Sequence, residues 1–93
     1  MQTETDTRER PSLEFPCAFP IKIMGLAEED FSALVEEIIR RHVPEPDHTG
    51  ISSRLSRRGR YIAVTVSITA RSRAQLDAIY RDLTAHERIL TVL

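Results

Sequence analysis

The chain has 93 residues and a mass of 10.6 kDa, enough for one domain and too few for two. Thirteen basic and 14 acidic side chains leave a net charge of -1, without the overall positive field of a dedicated nucleic-acid binder. A single cysteine, Cys17, excludes an internal disulfide framework and any all-cysteine metal site.

Residues 1–12 carry no large apolar side chain after Met1. They are expected to form a disordered polar tail, with the domain over 13–93. The N-terminal stretch has no apolar signal core, and no window reaches the roughly 18 apolar residues of a membrane helix. These bounds favour a cytoplasmic domain. A first strand is predicted over Phe19–Met24, with Phe19, Ile21 and Ile23 on one face and Pro20, Lys22 and Met24 on the other. Pro20 points to an early place in that strand, and Gly25 to its end.

Helical periodicity follows over Phe31–His42, with Phe31, Leu34, Val35, Ile38, Ile39 and His42 on the inner stripe. Glu28, Glu29 and Asp30 are expected in its first turn, Arg40 and Arg41 in its last, each complementing the helix dipole. Pro44 and Pro46 stop the helix. A loop is predicted over Val43–Gly50, then a weakly patterned strand over Ile51–Arg58. Gly59 suggests a tight turn into a strongly alternating strand over Arg60–Ala70. There Ile62, Val64, Val66, Ile68 and Ala70 share one face; Tyr61, Ala63, Thr65, Ser67 and Thr69 share the other. Ser72 to Gln75 reads as a capping box. It opens a helix with Leu76, Ile79, Tyr80 and Leu83 inward, and an apolar strand over Arg88–Leu93 closes the chain.

The order strand, helix, strand, strand, helix, strand, with right-handed crossovers, predicts an α+β, ferredoxin-like βαββαβ sandwich. Its four-stranded antiparallel sheet has the order 4-1-3-2, with both helices on one face. The residues Leu13-Glu14-Phe15-Pro16, Phe19, Lys22, Met24-Gly25, Arg41-His42, Pro44, Ser56, Gly59, Tyr61, Val64 to Ile68 and Val92-Leu93 carry a further signal. Through them the chain, over about residues 13–93, resembles the YbeD-like family of small bacterial proteins. The resemblance implies a ferredoxin-like fold akin to that of ACT regulatory domains, and no established activity. The Arg57-Arg58-Gly59-Arg60 hairpin is more basic than the resemblance leads one to expect.

No set of residues argues for an enzyme. Cys17 has no partner thiol and reads as structural. His42, His48 and His86 lack metal-ligand spacing, so neither a metal nor a cofactor is expected. His42 reads as an inner-stripe residue near the helix end, capping carbonyls there or filling the core edge, and His48 as a solvated loop residue. The first strand–helix junction, Met24 to Glu28, lacks the arginine an acylphosphatase anion loop requires. The remaining chemistry lies in Arg54, Arg57, Arg58 and Arg60. They read either as an anion or nucleic-acid contact or as charges guarding an edge strand. Stacking aromatics are too few for an RNA-recognition platform, which makes nucleic acid the less favoured partner. The leading expectation is a non-enzymatic regulatory or interaction module, working through its sheet surface or edge on a partner protein, a second copy or a small effector. The apolar last strand is the edge expected to pair across a two-fold axis. A small ligand is expected near Gly25, with Lys22 and Tyr61 beside it.

Overall fold

A computed structural model describes residues 13–93; the tail expected over 1–12 lies outside the described residues. Strand β1 spans Cys17–Leu26, helix α1 Phe31–Arg40, β2 His48–Leu55, β3 Tyr61–Ala70, helix α2 Arg73–Thr84 and β4 Ile89–Val92. A short 3-10 turn, Glu45–Asp47, precedes β2. The sheet is antiparallel in the order β2-β3-β1-β4, the predicted order read from the other edge. The fold is the ferredoxin-like sandwich that the alternating pattern implies.

Alternation fixes which face is covered. Ile21 and Ile23 of β1 and Val64, Val66 and Ile68 of β3 are buried beneath the helices. Phe31, Val35, Ile38 and Ile39 from α1 and Leu76, Ile79 and Leu83 from α2 meet them there. Leu34 and His42 are half-buried. The opposite face is open. It carries Lys22 and Met24 beside Thr65 and Ala63, as the β1–β3 register requires.

Several boundaries differ from expectation. Helix α1 ends at Arg40, not His42, and Glu28 to Asp30 lie before it. Strand β1 is longer than predicted, and β2 begins at His48 and ends at Leu55, three residues earlier at each end. His48 therefore opens a strand instead of lying in a solvated loop. It is half-buried, and its Nε2 meets no hydrogen-bond partner among the described residues. Pro20 sits inside β1, a strand with neighbours on both sides. The β1–β4 ladder reaches only as far as Lys22, whose N–H donates to the Leu93 carbonyl at 3.2 Å. Alternation turns the Pro20 nitrogen to that same side, beyond the end of β4, so no ladder bond is lost.

Candidate functional site

The β2–β3 hairpin is pinned by its own backbone. The N–H of Ser56 donates to the Tyr61 carbonyl at 2.8 Å, and that of Gly59 to the Ser56 carbonyl at 2.8 Å. The Ser56 hydroxyl accepts from the Tyr61 N–H at 3.0 Å. Gly59 has φ +73, in the left-handed region where glycine is favoured. Arg57 and Arg58 thus occupy the tip of a fixed turn and are exposed, as are Arg54 and Arg60. Around this end lies an open depression of about 500 Å³, lined by Ser56, Arg57, Arg58, Arg60 and Tyr61. A second, of about 300 Å³, lies on the open sheet face among Lys22, Ser52, Ser53, Arg54, Ala63 and Thr65. The register accounts for this second group: Arg54 stands opposite Ala63, and Lys22 opposite Thr65.

Four arginines elsewhere are held by acids. Arg40 pairs with Glu36 and Glu45, and Arg41 with Glu37 and Asp82. Arg71 grips Asp47 with two hydrogen bonds, at 2.9 and 3.0 Å. Arg88 binds Glu28 at 2.6 Å and Asp30 at 2.7 Å. Those acids respond: hydrogen bonding from Arg88 holds the Asp30 carboxyl below its ordinary range, and Arg71 does the same to Asp47. Among the described residues, Lys22, Arg54, Arg57, Arg58 and Arg60 have no such acid partner; Arg73 and Arg81 on α2 also lack one, but only the first five are grouped at one end of the sheet.

The structure therefore merges two groups that the sequence kept apart. Lys22 and Tyr61 join the four arginines at one end of the open face. Gly25 does not, which corrects the expected ligand junction. A Cβ there would lie 2.3 Å from Cε1 of Phe31 and 2.8 Å from the Arg88 carbonyl oxygen. The close approach that glycine permits is already taken by the protein's own ring.

Several structural partnerships went unread in the sequence. Arg88 gathers Glu28 and Asp30, two of the three acids expected to serve the α1 dipole. Asp47 is 6% exposed and anchors Arg71. His42 Nε2 lies 2.9 Å from Asp82, joining the two helices instead of capping one. Hydrogen bonding from His42 is the main cause that lowers the Asp82 carboxyl. Cys17 is a free, half-buried thiol. Among the described residues no group of three or more His, Cys, Asp or Glu is placed to hold a metal, and no helix is long and apolar enough to cross a membrane.

Residues 10–93 match the family described as protein of unknown function DUF493. A UPF0250 protein of Pseudomonas paraeruginosa is 48% identical over 92 residues, covering 98% of this chain and 99% of its own. One from Azotobacter vinelandii is 47% identical over 92 residues, with the same coverage. One from Neisseria gonorrhoeae is 41% identical over 90 residues, covering 96% of this chain and 99% of its own. The solution structure of HP0495 from Helicobacter pylori superposes with a TM-score of 0.68 at 12% identity, covering 91% of this chain and 89% of that one. A second HP0495 solution structure gives 0.53 at 11% identity, covering 91% and 99%. That likeness speaks to the fold, and the sequence matches speak to descent: the chain belongs to the DUF493, or UPF0250, family of small bacterial proteins, the YbeD-like family its residues resemble.

Proposed function

We propose that this protein is a non-enzymatic interaction module that docks an acidic segment of a partner protein on the cationic end of its open sheet face. The observation that carries this reading is the grouping of Lys22, Arg54, Arg57, Arg58 and Arg60 without acid partners, in a chain whose net charge is -1. A cationic surface beside flat, half-polar strand positions complements an anionic chain. Ser52 and Thr65, opposite each other in the register, add hydroxyl donors to the same area. A regulatory role would act through that partner. Tyr61 is the one aromatic on the β3 open face, so a nucleic acid would find charge there without a stacking platform. We place the module in the cytoplasm, where a thiol such as Cys17 stays reduced.

Fluorescence anisotropy with a labelled glutamate-rich peptide, and with a single-stranded RNA of matched charge, tests this. The peptide is expected to bind at low salt and to be released by added salt. Arg57→Ala combined with Arg58→Ala should weaken it about fivefold to tenfold, the sum of two exposed charge contacts. Tighter binding to the RNA would transfer the site to nucleic acid. Failure of the peptide to bind at low salt would sink the reading.

A further inference from the structure

Strand β2 is an eight-residue edge whose outer side has no neighbour in the sheet. The hydrogen bond from Ser56 N–H to the Tyr61 carbonyl fixes which backbone groups face out. In an antiparallel ladder the direction alternates. Ser56, Arg54 and Ser52 therefore turn their N–H and C=O toward β3, and Leu55, Ser53 and Ile51 turn theirs outward. These same three residues project onto the helix side of the sheet, opposite Ile62, Val64 and Val66. Yet α1 does not cover them: Ile51 is 39% and Leu55 58% exposed.

An unpaired edge of this length is usually blunted by a proline, a bulge or an inward-pointing charge. Here the only bulge lies at the far end, between His48 and Gly50, and the one charge within the strand, Arg54, points to the open face. The other edge, β4, is only four residues long and its ladder is interrupted by a bulge between Met24 and Gly25. Strand β2, not β4, is therefore the edge suited to addition.

We propose that β2 pairs antiparallel with β2 of a second copy about a two-fold axis at Ser53. That register alone matches the three outward residues as a closed set: Ser53 with its equivalent, Ile51 with Leu55, and Leu55 with Ile51. It forms about six backbone hydrogen bonds. It brings the two exposed apolar side chains of each copy into one patch on the helix side. On the open side Arg54 meets Ser52, not another Arg54. The result is a continuous eight-stranded sheet with an isologous interface. This pairing rests on the strand's edge and its helix-side residues, not on the acidic-partner reading: the two share only Arg54 and Ser52, and Lys22, Arg57, Arg58 and Arg60 stay outside the interface.

Sedimentation equilibrium of the full chain from micromolar to millimolar concentration tests the pairing. The mass should rise from 10.6 kDa toward twice that value. Ser53→Pro deletes the outward N–H on the axis while leaving every β2–β3 bond in place. It should raise the dissociation constant at least about tenfold with an unchanged circular dichroism spectrum. If that variant fails to fold, Ile51→Lys, at an exposed position, carries the same expectation. A monomer at millimolar concentration overturns the proposal, as does a dimer that a folded Ser53→Pro or Ile51→Lys leaves intact. Ser53→Pro should bind the glutamate-rich peptide as the parent does, so the two readings fail separately.

Discussion

Phe31 is fully buried at the start of α1, and its ring lies against the backbone of Gly25. The contact leaves no room for a side chain: a Cβ on Gly25 would sit 2.5 Å from Cζ as well as 2.3 Å from Cε1. Gly25→Ala should therefore destabilise the protein by about 3 kcal/mol, the upper range for overpacking a core, read as a lowered urea midpoint. Adding Phe31→Leu should recover part of that loss, but not all, because the Arg88 carbonyl oxygen remains 2.8 Å away. No recovery would mean that the backbone contact, not the ring, sets the requirement. The sequence marks Gly25 as the end of a strand and Phe31 as a core position. It does not say that the two share one volume, because that depends on the rotamer of Phe31 and the angle at which α1 leaves the sheet. The same limit hid the site: Lys22 and Arg54 lie 32 positions apart, and only the β1–β3 and β2–β3 registers together bring them to one face.

Helix α2 shows what is legible at the scale of an element. Ser72 caps it as the local pattern indicates, its hydroxyl accepting from the Gln75 N–H at 3.0 Å. Gln75 departs from the standard box. Its Oε1 accepts from the Arg71 N–H at 2.7 Å, and its Nε2 donates to the His42 carbonyl at 2.9 Å, beyond the end of α1. Ser72→Ala should cost about 1 kcal/mol, as for a lost N-cap. Gln75→Ala removes bonds to both helix ends and should cost at least as much; thermal melts of the two variants check the comparison. A milder effect at Gln75 would show that water replaces its bonds. Both helices announced themselves because each buries a stripe at helical spacing. Strand β2 was the weakest to read, for a reason visible in the fold. Its helix-side residues, Ile51, Ser53 and Leu55, are left uncovered, so the contrast between its two faces is low. Its misplaced boundaries and its availability as an edge have one cause.

Across the whole molecule, topology was legible because strand order and crossover handedness leave few choices. The ion pairs that tie the layers together were not, since each joins residues far apart in the chain. Arg88 reaches Glu28 and Asp30 across 60 and 58 positions, Asp82 meets His42 across 40, and Arg71 meets Asp47 across 24. Together they join β4 to the start of α1, α1 to α2, and the 3-10 turn to the end of β3. Asp30, Asp47 and Asp82 are all held below the ordinary carboxylate range, chiefly by hydrogen bonds from Arg88, Arg71 and His42 respectively. A group whose folded pKa is depressed contributes its stability above its unfolded pKa, about 4 for Asp. That contribution is lost as pH falls through the folded value. The melting temperature should therefore change little through these groups between neutral pH and about pH 5, and fall steadily below about pH 4. Asp47→Asn combined with Asp30→Asn should melt several degrees lower at neutral pH and fall less steeply in acid, because two of the three titrating contributions are gone. Melting curves at matched ionic strength across that range check this. A double variant that keeps the parent's acid slope would show that the response arises elsewhere. The comparison also separates the pairs' two roles, since a purely geometric role of the carboxylates would lower the melting temperature equally at every pH.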